Sequence, residues 1–197
     1  MTTQAFHGGH VLTERGFERD TCVLVEDGFI VAVLHGAPPT GDAIDLQGGY
    51  LVPGFIDAQV NGGGGVLFNN DTSVDAIAAI GRAHRRFGTT GFLPTLISDD
   101  AEVMQRAIAA TRDAIAQGVP GVLGIHLEGP FLSVERKGAH DPQLLRAPDP
   151  EVVAGLVAGA GGAVEMITVA PELAGGLEAI AVMTAAGAIA AVGHTDA

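Results

Sequence analysis

VLGIHLEGPFLSVERKGAHDPQLLR, residues 122–146, is the stretch on which the reading of this 197-residue chain turns. It opens with Val122, Leu123, Gly124 and Ile125, a short apolar run of the kind that forms a buried strand over 122–127. His126 and Glu128 then alternate with Leu127, so in an extended strand both polar side chains face one side and Leu127 the other. Gly129-Pro130 closes the strand, because Pro130 lacks an N–H and fixes its own φ. A carboxylate at the C-terminal end of a buried strand is costly unless it is paired or bound to a metal. In α/β barrels, that end of the strands is where catalytic groups sit.

Outward from this stretch, the chain alternates. Strands are expected at 55–60, 91–96, 122–127, 164–169 and 188–192, and helices at 73–87, 100–117, 148–160 and 174–186. The first helix carries an apolar stripe of Val74, Ile77, Ala78, Ile80 and Ala83, with Asp71, Thr72 and Ser73 as N-cap candidates and Gly88 as its stop. Such alternation predicts an α/β fold of parallel βα units with right-handed crossovers. About five units are visible where a closed (β/α)8 TIM-type barrel has eight, so residues 52–197 are expected to be the first part of such a barrel. Residues 1–51 read differently, as short strands. Runs at 21–26 and 29–34 flank Asp27-Gly28, a strong hairpin signal, and 43–46, Gly48-Gly49 and Tyr50-Leu51 continue the pattern.

Composition narrows the partners. A net charge of −13 and a pI near 4.7 argue against nucleic acid or an anionic membrane surface. Asp99-Asp100 and the acidic residues at 149–151 read as solvated loop charge. The lone Cys22 excludes an internal disulfide, fits a reducing cytoplasm, and reads as a small buried hydrophobe beside Val23 and Leu24. No apolar run is long enough for a membrane span, and MTTQAFHGGH has no basic-then-apolar order, so no signal peptide is expected.

HLEGPFL followed by KGAH, together with VPGFIDAQVNG at 52–62, GTTGFLPTLIS at 88–98, ITVAPE at 167–172 and GHTDA at 193–197, resembles the N-acetylglucosamine-6-phosphate deacetylases of the amidohydrolase superfamily. The resemblance implies that the intact enzyme hydrolyses the acetamide of N-acetylglucosamine 6-phosphate to glucosamine 6-phosphate and acetate, in amino sugar catabolism. It implies one divalent ion held by Glu128 and His194, zinc by donor type, with iron or another divalent ion able to use the same set. Many amidohydrolases bind a second metal through paired histidines where Gln59 and Asn61 stand here, so a single-metal site is inferred. By the same resemblance the Ala139 backbone and the His140 ring contact the substrate, and His140 polarises the acetamide carbonyl. The third ligand, the general-base Asp and the phosphate-binding residues are expected beyond Ala197. Further strands completing a β-sandwich with residues 1–51 are expected there too, and so is a homodimer when the protein is full length. The chain is therefore expected to be an incomplete, inactive portion of that enzyme. Another amidohydrolase amidase, or a catalytically dead half-barrel, are the alternatives.

Several residues carry competing readings. His140 could be an exposed loop histidine, and His194 an idle one. His126 could be a ligand or a hydrogen-bonded strand histidine, and Gln59 and Asn61 could simply bond within their loop. Lys137 could bridge metals after carbamylation, but its place beside Gly138 favours a solvated charge. His84, beside Arg82, Arg85 and Arg86, reads as surface, as do His7, His10 and His35. Thr89-Thr90 and Pro94-Thr95 read as support at the barrel mouth.

Overall fold

The computed structural model describes residues 3–36 and 42–197, and the chain divides into two compact units, 1–53 and 54–197. Among the described residues, the regular elements of the first unit are all strands: β1 (Thr3–His7), β2 (His10–Thr13), β3 (Gly16–Glu18), β4 (Thr21–Glu26), β5 (Phe29–His35), β6 (Asp42–Asp45) and β7 (Tyr50–Leu51). They form a four-stranded sheet ordered β5-β4-β1-β6 and a three-stranded sheet ordered β3-β2-β7. The hairpin at Asp27-Gly28 is present, with φ of 47° and 86° at the two positions and Glu26 paired to Phe29. A two-residue turn with both φ positive matches the twist of the strands it joins. Cys22 is fully buried. His7 and His10 are half-buried rather than on the surface, and His10 stacks on Tyr50 with ring centres 4.8 Å apart. His35 is exposed, as expected.

The second unit is the α/β part. Its sheet contains β8 (Phe55–Val60), β11 (Thr89–Ile97), β12 (Ile125–Glu128), β13 (Val164–Val169) and β14 (Ile189–Val192), all parallel and neighbours in chain order; a small hairpin of β9 (Gly62–Gly63) and β10 (Val66–Leu67) follows β8. Helices α1 (Val74–Arg85), α2 (Ala101–Ala116), α3 (Pro150–Gly159) and α4 (Gly176–Ala185) alternate with the strands. Each connection advances the sheet in the same direction. A doubly wound sheet reverses its order at a switch point, whereas a barrel does not. The arrangement is a partial (β/α) barrel. Among the described residues, no helix is long and apolar enough to cross a membrane.

Local chemistry sets the boundaries. Ser73 caps α1, its Oγ accepting from Ala76 N at 3.1 Å, and Asp149 caps α3 through Glu151 N with Pro150 in the first turn. The buried stripe of α1 is Ala76, Ile77, Ile80 and Gly81; Val74, Ala78 and Ala83 are only half-buried. Gly81 is selected because a Cβ there would come within 2.8 Å of the Phe92 ring. The third strand starts later than the apolar run suggests. Gly121 turns with φ 83°, Val122 makes one bridge to Phe92, and Leu123 N donates to Phe92 O. Val122 and Leu123 thus lean on β11, Leu123 stays half exposed, Ile125 pairs with β13, and two-sided pairing begins at His126. Between sheet and helices, Phe92, Ile125, Leu127, Ile167 and Val169 meet Ile77 and Ile80 in one core. The outer strands keep large apolar side chains exposed, Phe55 and Ile56 on β8 and Ile189 and Val192 on β14. Thr89 pairs with Phe55 at the start of β11, so Thr89-Thr90 lie at the end of the sheet opposite Glu128 and do not support the mouth. Thr95, opposite His126, does.

Candidate metal centre

Alternation along β12 sends Leu127 into the core, 1% exposed, and turns His126 and Glu128 to the other face. Glu128 is the last strand residue and is 8% exposed. Its Oε2 accepts from Asn61 Nδ2 at 3.4 Å, and its Oε1 lies 3.1 Å from His194 Nε2 and 3.9 Å from His140 Nε2. One oxygen and two ring nitrogens, from Glu128, His140 and His194, all lie within 4.8 Å of one another.

His194 follows β14 with φ 51° and is half-buried. Its Nδ1 lies 2.9 Å from Arg136 O, which has only lone pairs to offer, so Nδ1 carries the proton and donates. In the neutral ring Nε2 is then a lone pair aimed at a carboxylate oxygen 3.1 Å away. Two lone pairs at that separation repel unless a proton or a cation stands between them. Tetrahedral zinc with bonds of about 2.0–2.1 Å places neighbouring donors about 3.3 Å apart, so the pair fits such an ion. A ligating imidazole whose other nitrogen donates to a backbone carbonyl is the usual outer-shell arrangement.

The segment bearing His194 is tied down on both sides. Ser133 N donates to His194 O at 3.0 Å, and Arg136 Nε donates to Asp196 Oδ1 at 2.7 Å. Glu172 accepts from Asp196 N at 2.8 Å and from Thr195 Oγ1 at 2.6 Å, and these bonds, the backbone one first, hold its carboxyl below the usual range. His194 is no idle loop residue.

His140 is 3% exposed, which overturns the exposed-loop alternative. Its ring meets that of His194 edge-on, with centres 4.8 Å apart at 70°. Burial pushes its pKa down; Glu128 opposes this, while His194 and Lys137 add to it. Ala139, one residue earlier, is exposed.

His126 is not in the cluster. Its Nδ1 donates to Ala58 O at 3.0 Å and its Nε2 lies 2.7 Å from Thr168 Oγ1, so both ring nitrogens are engaged away from the other histidines. Burial lowers its pKa more than the Ala58 carbonyl and Glu128 raise it, and the neutral ring accepts at Nε2 from the Thr168 hydroxyl. Thr95 supports the same layer, accepting from Val60 N at 2.9 Å and donating to Leu93 O at 3.0 Å. This is the hydrogen-bonded strand histidine.

The other candidates separate. Asn61 reaches Glu128, while Gln59 is exposed beyond an irregularity between β8 and β11. Lys137 is half-buried, its ammonium donating to Gly138 O and His140 O at 3.3 and 3.5 Å, which corrects the picture of a freely solvated charge. His84 is half-buried and bonds Gly62 O at 2.9 Å, so it pins the glycine-rich loop after β8 instead of facing solvent. Asp99 accepts from Asn69 Nδ2 at 2.9 Å and is likewise more than loop charge. Ser98, Thr168, Glu172 and the Arg136 carbonyl were not singled out as site residues from the sequence. Ser98 and Glu172 end two of the quoted blocks and Thr168 lies within one, but a hydroxyl partner or a carbonyl leaves no spacing signal.

Residues 50–193 match the model of the amidohydrolase family. The chain belongs to that family. Among curated amidohydrolase relatives, it is 43% identical over 195 residues to an N-acetylgalactosamine-6-phosphate deacetylase of Shewanella sp. (strain ANA-3), covering 96% of this chain and 49% of the relative. It is 36% identical to an N-acetylglucosamine-6-phosphate deacetylase of Haemophilus influenzae, covering 95% and 49%. The crystal structure of N-acetylglucosamine-6-phosphate deacetylase from Pasteurella multocida superposes with a TM-score of 0.92 at 35% identity, over 99% of this chain and 52% of that one. This amidohydrolase chain thus spans about half the length of the relatives it matches.

Proposed function

We propose that Glu128 and His194 hold one divalent ion, zinc by donor type, and that the whole protein hydrolyses the acetamide of N-acetylglucosamine 6-phosphate to glucosamine 6-phosphate and acetate. The observation that carries this reading is the convergence of a buried carboxylate and a histidine lone pair at 3.1 Å beyond the strand ends. The relatives' names supply the substrate class. One ion rather than two is inferred because amides stand at 59 and 61, Asn61 donating to the carboxylate instead of ligating.

A divalent ion bound there supplies a lowered pKa for water and polarisation of the amide carbonyl. Glu128, steadied by Asn61, anchors the site, and Arg136 O orients His194. His140 offers an N–H to the acetamide oxygen as negative charge develops on it, a donor placed where water is excluded. The exposed Ala139 backbone contacts the sugar. A cytoplasmic homodimer acting on a small amino sugar phosphate, with no nucleic acid or membrane partner, completes the proposal.

A second reading is the galacto epimer, favoured by the name of the relative at 43% identity. Acetate release by the whole protein from the two N-acetylhexosamine 6-phosphates, with and without a chelator, tests both. Chelator-sensitive release from the gluco substrate is expected. Equal turnover after exhaustive chelation, or activity only on cyclic amides, would overturn the proposal.

A further inference from the structure

We propose that Ser98 is a positioning residue that fixes the tautomer of His140, making that ring a hydrogen-bond donor toward the site and keeping it from serving as a metal ligand. The inference rests on the reading of His140 as a substrate donor, which it deepens.

Three side chains could ligate, yet their surroundings distinguish them. His194 gives its Nδ1 proton to Arg136 O, which frees Nε2 as a lone pair. His140 has the opposite arrangement. The backbone N–H of Ser98 points at His140 Nδ1 at 3.3 Å, and the Ser98 hydroxyl lies 2.8 Å from the same atom. A backbone N–H can only donate, so Nδ1 must accept, and the proton of the neutral ring is on Nε2. That Nε2–H is on the Glu128 side, 3.9 Å from Oε1. A protonated nitrogen has no lone pair for a metal, but it is the donor that an amide oxygen needs.

The close approach of Ser98 is built into the chain. Ser98 is 5% exposed directly after β11, and its Oγ also lies 3.5 Å from Glu128 O. The next residue, Gly129, carries no side chain; a Cβ there would come within 2.3 Å of the Ser98 Oγ. Its φ of 94° is the second reason for glycine. The GTTGFLPTLIS and HLEGP blocks therefore meet at one point, hydroxyl against glycine, with His140 locked above them.

Nitrogen-15 NMR of the histidine rings reads the tautomer directly, because a lone-pair nitrogen and an N–H nitrogen resonate far apart. Spectra are recorded at about pH 8, above the ordinary histidine range, and the His140 signals are assigned by their loss in His140→Asn. In the wild type, His140 should show a lone-pair Nδ1 and a protonated Nε2, and His194 the reverse. Ser98→Ala keeps the backbone N–H at 3.3 Å but loses the shorter hydroxyl contact at 2.8 Å, so it should move Nδ1 of His140 part-way toward the N–H position, and Ser98→Thr, which keeps the hydroxyl, should restore it. Addition of zinc should shift His194 Nε2 and leave the His140 Nε2–H in place. A wild-type His140 protonated at Nδ1, a Ser98→Ala spectrum identical to wild type, or loss of the His140 Nε2–H on zinc addition would overturn the proposal. The wild-type spectrum decides the tautomer even if Ser98→Ala does not fold. Absence of any zinc shift at His194 would instead count against the metal reading alone.

Discussion

Replacing Thr168 by valine exchanges one hydroxyl for one methyl at a site 6% exposed, and its cost follows from what the hydroxyl holds. Thr168 Oγ1 lies 2.7 Å from His126 Nε2, the shortest contact of a histidine 3% exposed whose other nitrogen is committed to Ala58 O. Valine keeps the Cγ2 methyl, so the close packing of that methyl against Gly193 is unchanged and the loss is confined to the hydrogen bond. An unsatisfied buried acceptor costs about 1–3 kcal/mol. For a chain of this size each kcal/mol moves the thermal midpoint by about 2–4 °C. The measurement is urea and thermal unfolding of wild type and Thr168→Val. Because the pKa of His126 is lowered in the native state, its linked stability is complete above the ordinary value of 6.5 and is lost as pH falls through the lower native value. Work at about pH 7.5 keeps the ring neutral in both states and isolates the hydrogen bond. A loss of about 2 kcal/mol is expected. A change within about 0.5 kcal/mol, the range of an ordinary surface substitution, would refute the claim that this bond holds the layer beneath Glu128.

Gly129→Ala should be more damaging, since it combines a φ of 94° with a Cβ 2.3 Å from Ser98 Oγ. Backbone strain and overpacking at about 1–3 kcal/mol each predict a large drop in the urea midpoint, and a loss under about 1 kcal/mol would contradict the geometry. The depressed pKa of Glu172 predicts that docking of 194–196 is complete above the ordinary Glu value of 4.5 and is lost as pH falls through the lower native one. The Asp196 amide shift should follow that titration and lose it in Glu172→Gln; a midpoint at or above the ordinary value would contradict the contact.

Legibility followed the reach of each interaction. Strand and helix periodicity is local, so 55–60 and 164–169 were readable to the residue as β8 and β13, and the Asp27-Gly28 turn was readable from its two residues. Residues 122–124 were not, because whether an apolar run pairs on both sides depends on neighbours far along the chain. Glu128 and His194 could be picked out because HLEGP and GHTDA stand among five ordered blocks that resemble one family; a Glu or a His at a strand end, taken alone, reads equally as a capping or idle side chain. The opposite tautomers of His140 and His194 could not, since the backbone N–H and hydroxyl of Ser98 and the carbonyl of Arg136 set them, and such partners leave no spacing signal. Thr89-Thr90 went to the wrong end of the sheet for a related reason: a motif gives adjacency along the chain, while position along the strand comes from register.

Zinc titration calorimetry on the whole protein, as wild type, Glu128→Gln, His194→Asn and His140→Asn, tests the central claim most directly. With a carboxylate and a histidine lone pair 3.1 Å apart and amides at 59 and 61, the wild type should take up one zinc per chain. Glu128→Gln and His194→Asn should each lose that site, while His140→Asn, which removes a donor and no ligand, should keep it. Two zinc ions per chain, retention in Glu128→Gln, or loss in His140→Asn with retention in His194→Asn would contradict the account.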